Sequence, residues 1–123
     1  MKKQALLLID HGSTRDDAND LLPKVARMVR DMSDFEIVCY AHMELAEPTI
    51  QRGFDACVAA GATEVIVHPY FLSPGRHSFS DIPRMVAEAA AKYAGVSYRL
   101  TEPLGLDPKM GELILKRVRE SLS

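Results

Sequence analysis

The side chains in this sequence best suited to chemistry near neutral pH are histidines, and two of them stand beside turn-forming residues that would expose them. One is His11, in the run Asp10-His11-Gly12-Ser13-Thr14-Arg15; the other is His77, in Leu72-Ser73-Pro74-Gly75-Arg76-His77-Ser78. Neutral imidazole ligates borderline divalent metals, and it accepts a proton in the physiological range. Carboxylates that could join them stand at Glu44, Glu47 and Glu102. Two imidazoles with one or two carboxylates form an incomplete ligand set for cobalt, nickel, iron or zinc. Each residue also has a plainer reading. A lone loop histidine is a weak signal, and Glu47, just before Pro48, is a favourable charge at a helix N-terminus whatever else it does. His68 lies within a strand beside Pro69 and reads as a packed, hydrogen-bonded histidine. His42 is either a secondary ligand or a solvated residue. Asp10 and Asp81 suit the orienting of ring N–H groups, and Asp81 is equally a favourable first-turn charge.

What would gather such scattered residues is an alternation of strands and helices. Residues 5–9 form a continuous apolar run, as expected of a strand buried on both faces. A segment with Leu21, Leu22, Val25, Met28, Val29 and Met32 at helical spacing follows, with Asp20 as its cap, Pro23 in its first turn and its end near Ser33. Residues 35–41 read as a second strand, and Pro48 fits the first position of a helix reaching about Ala60, closed by Gly61. Val65, Ile66 and Val67 mark a third strand, after which Pro74 and Gly75 turn a loop holding His77 and a third helix runs over about 81–93, entered through Ser80 and Pro83. Residues 96–101 form a shorter, more polar edge strand, and Asp107-Pro108 opens a last helix with Leu113, Ile114, Leu115 and Val118.

Four strand–helix units with short connections predict an α/β fold: a flavodoxin-like, doubly wound parallel four-stranded sheet in the order 2-1-3-4, with helices on both faces. The loop after every strand then lies at one carboxyl edge, where such sheets bind ligands. His11, Glu44 and Glu47, His77 and Glu102 converge there. A chain of 123 residues is expected to make one lobe, 1–123, with a single core. With a formal net charge of −2, there is no overall attraction for nucleic acid, so an acidic ligand must be met by local cations. Cys39 and Cys57 belong to no metal-binding pattern and read as free thiols. With no apolar run long enough to span a membrane and no export signal after Lys2 and Lys3, the expected compartment is the cytoplasm.

At this point several motifs carry a family resemblance. His-Gly-Ser at 11–13, Glu-Leu-Ala-Glu-Pro at 44–48 followed by Ile50, and above all Phe-Leu-x-x-Gly-x-His-x-x-x-Asp-Ile-Pro at 71–83 resemble the short-form sirohydrochlorin chelatases. These are the single-lobe class II chelatases, which insert cobalt, iron or nickel into sirohydrochlorin, and the likeness spans nearly the whole chain. It implies metal-contacting and catalytic histidines at His11 and His77 and an acidic ligand from the second strand's exit, with Glu44 the better match and Glu47 the alternative. It also implies no organic cofactor, the divalent metal (Co²⁺, alternatively Ni²⁺ or Fe²⁺) being a substrate. Longer relatives hold two lobes in one chain, so the resemblance implies a homodimer with the cleft between two copies.

The chemistry agrees with that role. Metallation needs labile ligation of M²⁺ and an acceptor for the pyrrole N–H protons, and imidazole provides both. The macrocycle's carboxylates suit the guanidinium groups of Arg15, Arg76 and Arg84, and Ser13, Ser73 and Ser78 add hydrogen bonds. Two other classes use similar residues. A carrier would bind metal or tetrapyrrole without turnover, and a histidine-phosphatase-like enzyme would phosphorylate a histidine beside cations. The acidic Asp10 next to His11 speaks against the phosphatase.

Overall fold

A computed structural model describes residues 2–73 and 76–122; the side chains of residues 76–79 lie outside that description. The elements run β1 (Gln4–Asp10), α1 (Asp16–Asn19), α2 (Leu21–Met32), β2 (Ile37–His42), α3 (Ile50–Ala59), β3 (Glu64–Pro69), α4 (Arg76–Ala90), β4 (Ser97–Leu100) and α5 (Pro108–Ser121). The four strands form one parallel sheet in the order β2-β1-β3-β4, as the alternation predicts.

Strand parity divides the sheet's two faces. Ala5, Leu7, Ile9, Val65 and Val67 point to the side covered by α3 and α4, where they meet Ile50, Phe54, Cys57, Ile82, Val86 and Ala89 in the main core. The alternate residues face the other side, where Leu8 packs with Leu22 and Ala26 of α2 and with half-buried Leu6, Val38 and Tyr40. Gly53 explains how α3 approaches so closely: a Cβ there would come 2.8 Å from the Ala41 Cβ and 3.0 Å from the Tyr40 carbonyl oxygen. At the far end of that helix layer, the Tyr93 hydroxyl donates to the Asp55 carboxylate, which also accepts from Gln51. The bond to Tyr93 holds the Asp55 carboxyl below its ordinary range and pushes the Tyr93 hydroxyl up.

The amino edge of the sheet is held by one buried acid. Glu64 accepts from Gln4 Nε2 at 2.7 Å and from Arg99 Nε at 3.1 Å, and Lys2 Nζ stands 3.6 Å away. These partners, Gln4 foremost, keep its carboxyl below the ordinary range and tie β1, β3 and β4 together.

Several local expectations need correction. A short helix, α1, precedes α2, and Asp20 joins the two in helical geometry without a side-chain cap bond. Pro48 does not open α3: Thr49 is the cap, its Oγ1 accepting from Arg52 N at 3.2 Å, and the helix starts at Ile50. A hydroxyl that accepts from the third amide of the helix it precedes outcompetes the proline immediately before it as the starting signal. The third predicted helix begins at Arg76, not near residue 81, so His77 belongs to the first turn of α4 rather than to a loop, and Pro83 is interior. Burial of Ile82, Val86 and Ala89 along one stripe outweighs the single amide hydrogen that Pro83 lacks. The expected turn at Pro74 and Gly75 lies outside the described residues. Cys39 and Cys57 are free thiols, half-buried and buried, and contact with Cys39 together with burial pushes the Cys57 thiol up.

Candidate metal-handling site

The ladder between β1 and β2 continues past the strand ends. Met43 N donates to the Asp10 carbonyl at 2.8 Å and Glu44 N to the His11 carbonyl at 3.0 Å. Extending the pairing by these two bonds sets residue 44 beside residue 11, and the side chains meet: His11 Nε2 lies 2.8 Å from Glu44 Oε1, with both groups about half exposed. A carboxylate can only accept, so Nε2 carries the hydrogen in this pair. An arriving cation would replace that hydrogen bond with one nitrogen and one oxygen donor.

The tight approach depends on Gly12, whose φ is +91°. A Cβ there would sit 1.9 Å from the Glu44 carbonyl oxygen, closer than any side chain can come. Leu45 also has positive φ, at 71°, so the chain turns sharply just after Glu44.

Behind the pair lies a second imidazole–carboxylate contact. Asp10 and His42 are register partners across β1 and β2, and His42 Nδ1 stands 2.5 Å from Asp10 Oδ1. The His42 side chain is 1% exposed and meets the Tyr40 ring edge-on. It is neither a solvated residue nor open to a ligand; it is a buried donor that fixes Asp10, immediately before His11. Sequence reading left this open because strand register cannot be read from spacing alone.

The remaining candidates fall into distinct places. Glu47 is engaged at the start of α3: its Oε2 accepts from Thr49 N at 3.2 Å and lies 3.8 Å from Arg52 Nε. Ser13 belongs to the loop after β1, its Oγ accepting from Arg15 N and its backbone held by Asn19. Arg15 is paired with Asp17 at 3.0 Å. Arg84 lies on the exposed side of α4, beside Glu88 at 3.2 Å and Asp81 at 3.7 Å. The side chains of Arg76, His77 and Ser78 lie outside the described residues. Glu102 follows β4, and its carbonyl accepts from the Thr101 hydroxyl. That hydroxyl receives His68 Nδ1–H at 2.8 Å, and burial draws the His68 imidazole below its ordinary range. Of the apolar residues near the strand exits, Leu45 and Leu72 are exposed, whereas Met43 is buried and Phe71 packs against the core. Among the described residues no group of three metal-binding side chains converges; His11 and Glu44 form a pair.

Fold and site together define a doubly wound α/β protein with a solvent-open imidazole–carboxylate pair at the carboxyl edge of its sheet. The chain belongs to the CbiX family, whose model matches residues 5–121. It is 42% identical over 118 residues to the chloroplastic sirohydrochlorin ferrochelatase of Arabidopsis thaliana, covering 96% of this chain and 52% of that protein. It is 31% identical to the sirohydrochlorin cobaltochelatase of Methanopyrus kandleri, with 96% of both chains covered. Among solved structures, the sirohydrochlorin chelatase SirB from Bacillus subtilis subspecies spizizenii, in complex with cobalt, superposes with a TM-score of 0.88 at 32% identity, covering 98% of this chain and 51% of that one. The chain thus spans about half the length of the Arabidopsis and Bacillus proteins.

Proposed function

We propose that this protein inserts a divalent metal ion into sirohydrochlorin, with cobalt the favoured metal and nickel or iron the alternatives. The observation that carries the reading is the His11–Glu44 pair, 2.8 Å apart and open to solvent at the carboxyl edge, in a member of a family whose relatives are named as cobalto- and ferrochelatases of that macrocycle. In this role His11 and Glu44 hold the incoming ion in ligation weak enough to release it, and His77 supplies a further imidazole. As the ion enters the ring, two pyrrole N–H protons leave; an imidazole freed from the metal accepts one, and the other passes to the solvent to which the pair is open. Arg15, Arg76 and Arg84, with Ser13 and Ser78, bind the macrocycle's carboxylates, Arg15 and Arg84 exchanging their present acidic partners for those of the substrate. No organic cofactor takes part.

A flat macrocycle has two faces, and the carboxyl edge of one lobe meets it from one side. We therefore place the working site between two copies related by a twofold axis, with exposed Leu45 and Leu72 turned towards the partner. No helix among the described residues is long and apolar enough to cross a membrane, and we assign the reaction to the cytoplasm.

The test is anaerobic incubation of purified protein with sirohydrochlorin and each metal in turn, following the tetrapyrrole absorption spectrum. Metallation faster than the protein-free rate is expected, greatest with cobalt. Tight binding of metal and macrocycle without any acceleration would make the protein a carrier and end the chelatase reading.

A further inference from the structure

The last helix has an apolar side that nothing among the described residues of its own chain covers. No residue of α5 is buried, and Leu113, Ile114, Leu115 and Val118 are between 43% and 62% exposed. No other element packs extensively against it. Ion pairing such as Arg117 with Glu120 marks the helix's polar side, so the apolar side is a stripe rather than a uniformly greasy surface.

The sheet has a matching vacancy. On the side opposite α3 and α4, α2 packs mainly on β1 and β2 and has no extensive contact with β3 or β4. Leu6 and Ile66 are direct register partners on that side, and both are half-buried. Ile66 joins neither core cluster, although its neighbours Val65 and Val67 are fully buried on the opposite face. In a doubly wound sheet this is the place that the helix following β4 would fill.

The connector explains why α5 does not fill it within one chain. Thr101 N donates to the Val67 carbonyl, and Leu104 N and Gly105 N donate to the carbonyls of Phe71 and Leu72, each at 2.9 Å. The chain is thereby pinned to the carboxyl edge through Gly105, leaving Leu106 and Asp107 before Pro108 starts the helix away from its own sheet.

We propose that α5 docks on the β1–β3–β4 face of a second copy of this chain, and that the exchange is reciprocal. Because α5 sets off from the carboxyl edge, the two connectors cross there and hold the two His11–Glu44 sites opposite each other. The proposal thus rests on the dimeric site described above and supplies its fastening. Each docked helix is about 21 Å long and roughly 10 Å wide; counted on both partners, two such contacts bury on the order of 1,000 Å², the threshold of a specific interface.

A double-cysteine variant, Ile66→Cys with Ile114→Cys, places one thiol at mid-strand and one at mid-helix. Under mild oxidation the double variant is expected to give a crosslinked dimer on non-reducing gels, and an equal mixture of the two single variants, unfolded and refolded together, to give a crosslinked heterodimer. Wild-type protein and each single variant alone should give neither. An intrachain crosslink would show α5 folding onto its own sheet, and a dimer from Ile114→Cys alone would show α5 pairing with α5; either overturns the exchange. So does a protein that sediments as a dimer yet forms no crosslink, a result that leaves the dimeric site standing. Wild-type protein that sediments as a fully active monomer would instead remove the dimeric site and the exchange together.

Discussion

Gly12 and Glu44 meet with no room for a side chain on residue 12: a Cβ there would stand 1.9 Å from the residue 44 carbonyl oxygen, and the backbone of residue 12 already has a φ of +91°. The carboxylate beside His11 is therefore delivered by a contact that only glycine permits. Gly12→Ala is expected to destabilise the protein by about 2 kcal/mol or more, from left-handed strain and from displacement of a backbone that cannot yield like a side chain. Chemical denaturation gives the stability, and metal titration of the surviving folded fraction should show weaker binding. Wild-type stability in this variant would contradict the close packing of the two loops.

Removing either member of the exposed pair should separate chemistry from folding. His11→Ala is expected to lower kcat/KM on the order of 10²-fold or more, with little change in melting temperature, because its side chain is half exposed and packs in neither core cluster. Glu44→Gln keeps an oxygen donor but loses the charge and should fall between His11→Ala and the wild type. Comparable activity in all three proteins would place the metal elsewhere.

The buried pair behind it predicts the opposite balance. Asp10→Ala strands a buried His42 N–H and should cost about 2 kcal/mol of stability, as expected for a hydrogen bond to a charged group. Asp10→Asn retains an acceptor for that N–H and should recover part of the loss. If Asp10→Ala leaves stability untouched but abolishes turnover, Asp10 belongs to the chemistry and not to its support.

His68 introduces a pH dependence whose sign follows from burial. Its imidazole is drawn below the ordinary histidine value, so between the folded and unfolded values the unfolded chain binds more protons. Stability is then complete above about pH 6.5, the unfolded histidine value, and declines as pH falls through the range below it. Melting temperatures at pH 7.5 and 5.5 should differ more for the wild type than for His68→Gln. An equal change in both would assign the loss to other groups.

The sheet order and the identity of the carboxyl edge follow from features that spacing encodes well: continuous apolar runs such as 5–9 and the turn residues that end them. Helix starts were harder to read. Pro48 and Pro83 looked like first-turn prolines, yet one precedes its helix and the other lies inside one, because a threonine cap and a buried apolar stripe decided those boundaries. The pairing of His11 with Glu44 required knowing that the β1–β2 register runs two residues beyond the strands, and that is a tertiary fact. The partner of His42 was hidden for the same reason. The solitude of α5 had no sequence signature, since its apolar stripe would look the same whether its partner lay in the same chain or another.

Glu64 anchors the amino edge of the sheet through Gln4 and Arg99, at the opposite end of the strands from His11 and Glu44. The acid that braces the strands and the acid paired with His11 thus stand a full strand length apart and have none of these partners in common. Substitutions distant from one another tend to act independently. Changes of donor atoms in the loops at 11–15 and 43–47 can therefore be explored by mutation without disturbing the bracing at Glu64, although Gly12 and Asp10 remain fixed points within that freedom. If the ion is a passing cargo, as proposed above, metal preference becomes a trait that can drift among descendants while the scaffold keeps its shape.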